Sequence, residues 1–441
     1  MERPLTGVRV IALEQYMSAP YCTMLLADSG AEGRGDPRRS IPPYAADEQG
    51  RRVAGGFISY NRNKKSVALN LRAEAGRRIY ERLVKASDVV VENLRPGAAD
   101  KMGLGYEQLK ALNPRLVYAA ISGFGRLEGH IGPYAHRPAF DIVAEAMGGI
   151  MNLVGFADKP PSWTIYGMAD VYTGLVTAYG VMLALFMRER TGQGQFVDSA
   201  MLDNMLAFNE RMTTLYSFTG ESPERGRLKH LYPRGAFRCQ DGYLALNIPD
   251  DLQWKRLCEA MGRADLKDDP RTVDGTARAA NADFVRPIIE DWLAVKTRAQ
   301  AVALLGEQGV PSGPVYTAED IFDDPHIAAR NMLVTVDDPV AGPRKYARSP
   351  LHLSSAPEIP TAPAPRLGEH TCLILRGVLG YDESEIEQLR DQGVIEIADC
   401  AREKSGRSRD FAIAQGALRG KTDAIWKSRL QNGNCWEKEK A

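Results

Sequence analysis

The sequence predicts an α/β protein built on a parallel sheet, and three observations carry that prediction. Short β-branched runs punctuate the first half of the chain: VRVIAL (8–13), SVALNL (66–71), DVVVEN (88–93) and LVYAAIS (116–122). These runs are apolar almost throughout, as strands covered on both faces are. Between them lie longer amphipathic stretches; within 73–86, for example, Ala75, Ile79, Leu83 and Val84 fall on one helical face. Strands alternating with helices of this length imply crossover connections and hence a parallel sheet.

The first run leads into a helical stretch from Ala19 to Ala27, and the third into one from Tyr106 to Leu112. The most apolar helical segment, from Val171 to Met187, contains Thr, Tyr and Gly and is short for a membrane span at that length. It is read as a buried core helix. Near Phe237 the texture changes. FRCQDGYLALNI (237–248) places Asp-Gly ahead of an apolar run, a hairpin signal. Helical segments follow from Gln253 to Met261 and from Ala282 to Val295, ending near VPSGPVY (310–316). Pro-rich TAPAPRLGEHT (361–371) then runs towards a helix from Glu383 to Asp391. The expected organisation is a large domain from 1–224, a smaller α+β domain from 225–320 and a return to the large domain over 321–397. Residues 398–441 are polar and basic without a sustained apolar stripe, and are read as a disordered or weakly ordered tail.

With 441 residues and a 44% apolar fraction, the chain can bury a full core. Its formal net charge is zero, so nothing global points to nucleic acid or to an acidic membrane surface. An anionic ligand must therefore meet a local basic cluster. MERPLTGVRVIALEQ lacks the apolar core of a signal peptide and the Arg/Ser-rich character of a transit peptide. Cys22, Cys239, Cys258, Cys372, Cys400 and Cys435 are scattered, with no C-x-x-C pair and no zinc-ligand spacing. A cytoplasmic protein without a structural metal is expected.

Most catalytic signatures are missing. EQYMSAP, after the first strand, has no G-x-G-x-x-G, and Gly103-Leu104-Gly105 and Gly192-Gln193-Gly194 lack the third glycine. Gly416 to Thr422 resembles a phosphate loop but has one intervening residue too few. Neither G-x-S-x-G nor H-E-x-x-H occurs. What remains is Asp170, immediately before the apolar helix in YGMADVYTGLVTAYGVMLALFM. Asp is a preferred N-cap, so a purely structural role is open. The other reading uses the same geometry: a carboxylate kept ionised at a helix N-terminus, facing free N–H donors, could attack a thioester.

Seven segments occur in order: NRNKKSVALNL (61–71), VVVENLRPGAADKMGLGYEQLKALNPRLVYAAISGFG (89–125), RPAFDIVAEAMGG (137–149), GMADVYTG (167–174), TGQGQFVDSAMLD (191–203), GVPSGPV (309–315) and LGEHT (367–371). On these the chain resembles the class III coenzyme A transferases, the family of formyl-CoA and carnitine-CoA transferases that also contains α-methylacyl-CoA racemase. The resemblance implies a Rossmann-like large domain with an inserted small domain, an intertwined homodimer, and CoA bound between the domains. CoA is then a substrate, with no permanently bound cofactor; the partners are an acyl-CoA and a small carboxylic acid. It also implies that Asp170 is the nucleophile, passing through a mixed anhydride and an aspartyl-CoA thioester. Matched onto the family's CoA contacts, the candidates are Tyr16, Met17 and Ser18, Arg39, Leu69 with Arg72, Asn93, Lys101 with Met102, and Arg137. For Asn93, a turn before Arg95-Pro96-Gly97 is a rival reading.

Three departures refine the expectation. The racemase branch carries a His where this chain has Phe140, and a phenyl ring shuttles no proton, so transfer is favoured over epimerisation. Asp141 beside it is read as structural, capping the helix that follows. The glycine run of formyl-CoA transferase-like members is absent from AFRCQDGYLALNIPDDLQW, which points to a succinyl-CoA type exchange with a small dicarboxylate. Lastly, Gly30-Ala31-Glu32 passes straight to Gly33-Arg34-Gly35-Asp36, about one short strand less than the family pattern. That omission motivates the remaining alternative, a non-catalytic CoA-binding paralogue.

Overall fold

The computed structural model describes residues 3–28, 36–226, 229–357 and 361–398. The gap expected after Glu32 and the tail beyond Ala398 lie outside the described residues. At the centre is a four-stranded parallel sheet of β1 (Val10–Leu13), β2 (Val89–Glu92), β3 (Val117–Ser122) and β4 (Phe196–Ala200), in that spatial order. Val10 lies beside Val89, Val89 beside Val117, and Tyr118 beside Phe196.

Every residue of β2 and β3 is buried, and the two-residue period of a strand divides them between two cores. Val90, Tyr118 and Ala120 face α2 (Glu74–Lys85), whose Ile79, Tyr80, Leu83 and Val84 form its apolar stripe. Val89, Val91, Val117, Ala119 and Ile121 face the opposite layer. There α1 (Ser18–Asp28) supplies Ala19, Cys22 and Leu26, and the long helix Met168–Thr191 supplies Ala178, Val181, Ala184 and Leu185. The mixed α/β fold with its parallel sheet is as the sequence predicted.

Two elements differ. SVALNL does not join the parallel sheet; only Ala68–Leu69 is a strand, paired antiparallel with Ile395–Glu396. Asn70 ends it, accepting the Ala73 N–H at its carbonyl and the Arg72 N–H at its side chain. The fourth place in the sheet belongs to Phe196–Ala200, where Asp198 and Ser199 interrupt the apolar run and hide the strand.

The helix Met168–Thr191 is also longer than expected, and at 24 residues it is long and apolar enough to cross a membrane. Brevity therefore does not make it a core helix; packing of one face on β3, β4 and α1 does. Its other face is not buried in the chain: Leu175, Tyr179, Met182 and Phe186, spaced four, three and four apart, are exposed.

A second core gathers Phe237, Leu244, Leu246, Trp254, Ile289, Leu305 and Val310. It is built on the expected hairpin, Arg234–Cys239 with Gly242–Asn247, whose far edge is joined by Ser312–Pro314. The chain then returns to the first core through Ile374 and Leu375 of helix Thr371–Leu379, Ile386 of helix Glu383–Asp391, and Ile395.

Candidate active site

In an open parallel sheet the crevice beyond the carboxyl ends of the strands collects the loops that bind ligands. Here β1 and β2 end side by side, and the loop after β1 is held in an unusual shape. Tyr16 adopts φ +65°, a left-handed conformation uncommon for a side-chain-bearing residue. Three hydrogen bonds fix it. Asn93, just past β2, accepts the Gln15 N–H at 2.8 Å and donates to the Gln15 carbonyl at 2.6 Å. The buried Asp36 carboxylate accepts the Tyr16 N–H at 2.8 Å. The chain then enters α1 at Ser18, whose hydroxyl lies 3.4 Å from Asn93 Nδ2. The amide of Asn93 thus braces this loop, which replaces the reading of Asn93 as part of a turn before Arg95.

A buried ion pair locks α1 beneath that loop. Lys64 Nζ donates to Glu14 Oε1 at 2.7 Å, Asn61 Oδ1 at 2.9 Å and the Pro20 carbonyl at 3.0 Å. All three ammonium protons are satisfied, as a buried lysine requires. Glu14 uses its other oxygen to accept from Thr23 at 2.6 Å.

Asp170 occupies the first turn of Met168–Thr191, but it is not the cap of that helix. The capping group is the buried Asp141, which heads helix Asp141–Met147. Its Oδ1 accepts from the Ala169 N–H at 2.7 Å and the Asp170 N–H at 3.1 Å, and its Oδ2 from Gly167 at 3.1 Å. Asp141 therefore caps a helix twenty-six residues downstream rather than its own, contrary to the sequence expectation.

With those donors taken, Asp170 does not enjoy the ionising environment expected of a helix N-terminus. Burial, and then the negative charge of Asp141, push its carboxyl up to about 7. A hydrogen bond from Ser18 and the positive charge of Arg38 oppose that rise. Ser18 comes this close because residue 174 is glycine: a Cβ there would lie 2.4 Å from the Ser18 carbonyl and 3.2 Å from the Cys22 nitrogen. The D-x-x-x-G spacing thus joins the Asp170 carboxyl to the contact between two helices.

Tyr16, Met17, Ser18, Asn93 and Asp170 come together in one place. Met17 is buried and its thioether packs where Gly167 leaves room. Phe140 stands edge-on to Tyr16 at 5.9 Å, so the position that carries a His in racemases does adjoin the site. Arg39 is half-buried over the Phe57 ring at 3.7 Å and donates to the Pro365 carbonyl at 2.8 Å. Burial lowers its pKa to about 10. Leu69 packs against the first core, and Arg72 is exposed just before α2. Lys101 is exposed and Met102 half-buried in the turn after β2. Arg137 is exposed over the Tyr134 ring at 4.0 Å, in the loop after β3. Lys101 and Met102 follow β2 and Arg137 follows β3, so these three stand beyond the carboxyl ends of those strands.

The sequence reading missed Glu14, Asp36, Arg38 and Lys64. Asp36 had a signal, since Asp before Pro37 is a helix-start pattern and it does cap Pro37–Ser40. Its carboxyl is pushed up to about 6 by burial. The other three had none, because their partners are distant in the chain.

Residues 5–371 match CoA-transferase family III. The chain is 40% identical over 380 residues to succinyl-CoA:mesaconate CoA-transferase of Haloarcula hispanica, covering 84% of this chain and 95% of that relative. It is 36% identical over 403 residues to succinyl-CoA–D-citramalate CoA-transferase of Chloroflexus aurantiacus, covering 89% and 98%. Among solved structures, a CaiB/BaiF family protein from Brucella suis superimposes with a TM-score of 0.76 at 35% identity, over 86% of this chain and all of that one.

Proposed function

Because the chain belongs to CoA-transferase family III and is a CoA-transferase, we propose that it moves coenzyme A between succinyl-CoA and a small dicarboxylic acid, with Asp170 as covalent acyl carrier. The observation that carries this reading is the Asp170 carboxyl, hydrogen-bonded by Ser18 and deprived of backbone donors by Asp141. A carboxylate of raised basicity is a stronger nucleophile and still ionises near neutrality. The relatives named for succinyl-CoA with mesaconate and with citramalate, both dicarboxylates, support the substrate class.

Each step conserves charge and needs no added proton. An Asp170 oxygen attacks the thioester carbonyl, the C–S bond breaks, and CoA leaves as a thiolate. The thiolate attacks the aspartyl carbonyl of the resulting anhydride, and the donor acid departs as carboxylate, leaving aspartyl-CoA. The acceptor carboxylate attacks that thioester, and the released thiolate takes up the new acyl group and restores Asp170. The exposed Arg72, Lys101 and Arg137 suit the phosphates of CoA, with Tyr16, Met17, Ser18, Arg39, Leu69, Asn93 and Met102 lining the path towards Asp170.

We read 225–320 as the inserted small domain and the assembly as a homodimer. The exposed stripe Leu175, Tyr179, Met182 and Phe186 is an apolar helix face of the kind a second copy covers; a folded monomer in size-exclusion and scattering measurements would contradict the dimer. For the chemistry, the protein is incubated with succinyl-CoA, quenched with hydroxylamine and mapped by mass spectrometry. A hydroxamate on Asp170, absent in Asp170→Ala, is the expected result. An adduct elsewhere, or none while transfer proceeds, sinks the acyl-carrier reading.

A further inference from the structure

We propose that Glu145 is a positioning residue for the transfer reaction: its buried carboxylate fastens the segment that enters the helix Met168–Thr191, and so fixes where Asp170 presents its own carboxyl. This rests on the acyl-carrier reading above and adds to it the residue that aims the carrier.

Glu145 is fully buried and lies four residues after Asp141 in the helix Asp141–Met147, so the two carboxylates share one helical face. Glu145 Oε2 accepts the Thr164 N–H at 3.0 Å, and its Oε1 accepts the Thr164 hydroxyl at 3.0 Å. Asp141 accepts the N–H groups of Gly167, Ala169 and Asp170. One helix face therefore grips the chain twice, at residue 164 and again over 167–170. The same Thr164 hydroxyl stands 3.0 Å from Met168 Sδ, which closes the span between the two grips.

Three observations give Glu145 this task. First, no backbone hydrogen bond among the described residues ties 160–164 to the rest of the fold. Trp163, Ile165 and Tyr166 are exposed while Thr164 between them is half-buried, so the bonds to Glu145, not apolar packing of its neighbours, draw this stretch inward. Second, a buried carboxylate is costly unless its oxygens are satisfied, and here each oxygen takes a donor from the same residue. Third, the gripping helix is itself anchored. The Gly148 carbonyl at its end accepts from Asn209 at 2.9 Å, and a Cβ at 148 would lie 2.5 Å from Met205 Cβ. Ala144 joins Ala169, Met201 and Met205 in a small core beneath the first turn that carries Asp170. An aspartate has only two side-chain torsions, so the seat of its backbone decides where its oxygens point. Attack on a thioester demands that aim closely.

Acylation of Asp170 is followed in a single turnover with succinyl-CoA, quenched with hydroxylamine, and expressed per folded molecule from urea unfolding. Glu145→Met removes both acceptors at similar length and is expected to slow acylation ~10- to 100-fold, the cost of a reacting group about 1 Å out of line. CoA affinity, read by calorimetry, should stay unchanged. Glu145→Gln keeps an acceptor for the Thr164 N–H and should restore most of the rate. Thr164→Val keeps that N–H bond, should be slowed less, and serves where Glu145→Met does not fold. A rate per folded molecule equal to wild type, or a loss confined to CoA affinity, overturns the proposal and leaves Glu145 purely stabilising. A second measurement needs no chemistry: hydrogen exchange resolved to single amides, in wild type and Glu145→Met. Faster exchange at Ala169 and Asp170 as well as Thr164 supports the proposal. Faster exchange at Thr164 alone overturns it, because the turn that carries Asp170 then holds without Glu145. A wild type that forms no adduct would count against the acyl carrier, and the exchange pattern would still decide what Glu145 holds.

Discussion

Asp170→Asn offers the sharpest test of how this site is built, because it keeps the shape of the side chain and removes only its charge. In the folded chain the carboxyl is pushed up to about 7, chiefly by burial and then by Asp141. An unfolded aspartate titrates near ~3.9. Between those values the native state holds a proton that the unfolded state has released, so stability falls as pH rises. The contribution of this group is complete below the unfolded value and is lost as pH climbs through about 7. Integrated from pH 5 to 8.5, the loss is roughly 3 kcal/mol. Asparagine titrates nowhere in that range, and Asp36, which is also raised, is common to both proteins and cancels. Urea unfolding of wild type and Asp170→Asn at the two pH values, at equal protein concentration, measures the difference. The variant should gain on the wild type by about that amount at pH 8.5 relative to pH 5. Superimposable pH dependences, or a wild type that gains on the variant with rising pH, would show that Asp170 is ionised and well solvated after all.

Three further outcomes follow from the same geometry. The kcat/KM for succinyl-CoA should rise with pH through one ionisation near 7, and Ser18→Ala should move that limb upward by removing the hydroxyl bond that favours the charged carboxylate; a limb that does not move would uncouple Ser18 from Asp170. Gly174→Ala puts a Cβ 2.4 Å from the Ser18 carbonyl, and is expected to cost ~1–3 kcal/mol of stability together with most of the transfer rate, read from urea midpoints and initial rates. Lys64→Met strands Glu14 without its cation and should destabilise by ~3–5 kcal/mol, with Glu14→Leu in the same chain restoring much of the loss. Equal stabilities of the single and double variants would mean that the pair is not the source.

The parts of the fold that were legible in the sequence are those whose signal is local. β2 and β3 announce themselves because each is an unbroken apolar run, buried on both faces. The hairpin of the second core follows from an Asp-Gly turn between strands, where Cys239 faces Gly242. Phe196–Ala200 is not legible because Asp198 and Ser199 break its apolar character, and Asp198 has its own task, accepting the Arg126 N–H at 2.8 Å. SVALNL misled for the converse reason: its composition suits a central strand, while Asn70 turns the chain after two paired residues. The site was legible only to the extent that a family pattern marks it. Asp170 and Ser18 are separated by most of the first half of the chain, and nothing local predicts that Gly174 lets them meet.

The capping arrangement shows why a residue's neighbours in sequence were a poor guide to its chemistry. Taken alone, an aspartate in the first turn of a helix is a stabilised anion, and a stabilised anion is a sluggish nucleophile. The structure divides the two roles that local sequence assigns to one residue. Asp141 accepts the three N–H groups, and in doing so both satisfies the helix end and places a second negative charge beside Asp170. Asp170 is left with a single hydroxyl donor and a nearby cation, which keep it ionisable near neutrality without quenching it. The helix cap and the proposed nucleophile are therefore not rival readings of one position. They are two carboxylates that divide the tasks: Asp141 holds the helix end, and Asp170 keeps a carboxyl raised to about 7 beside the Ser18 hydroxyl.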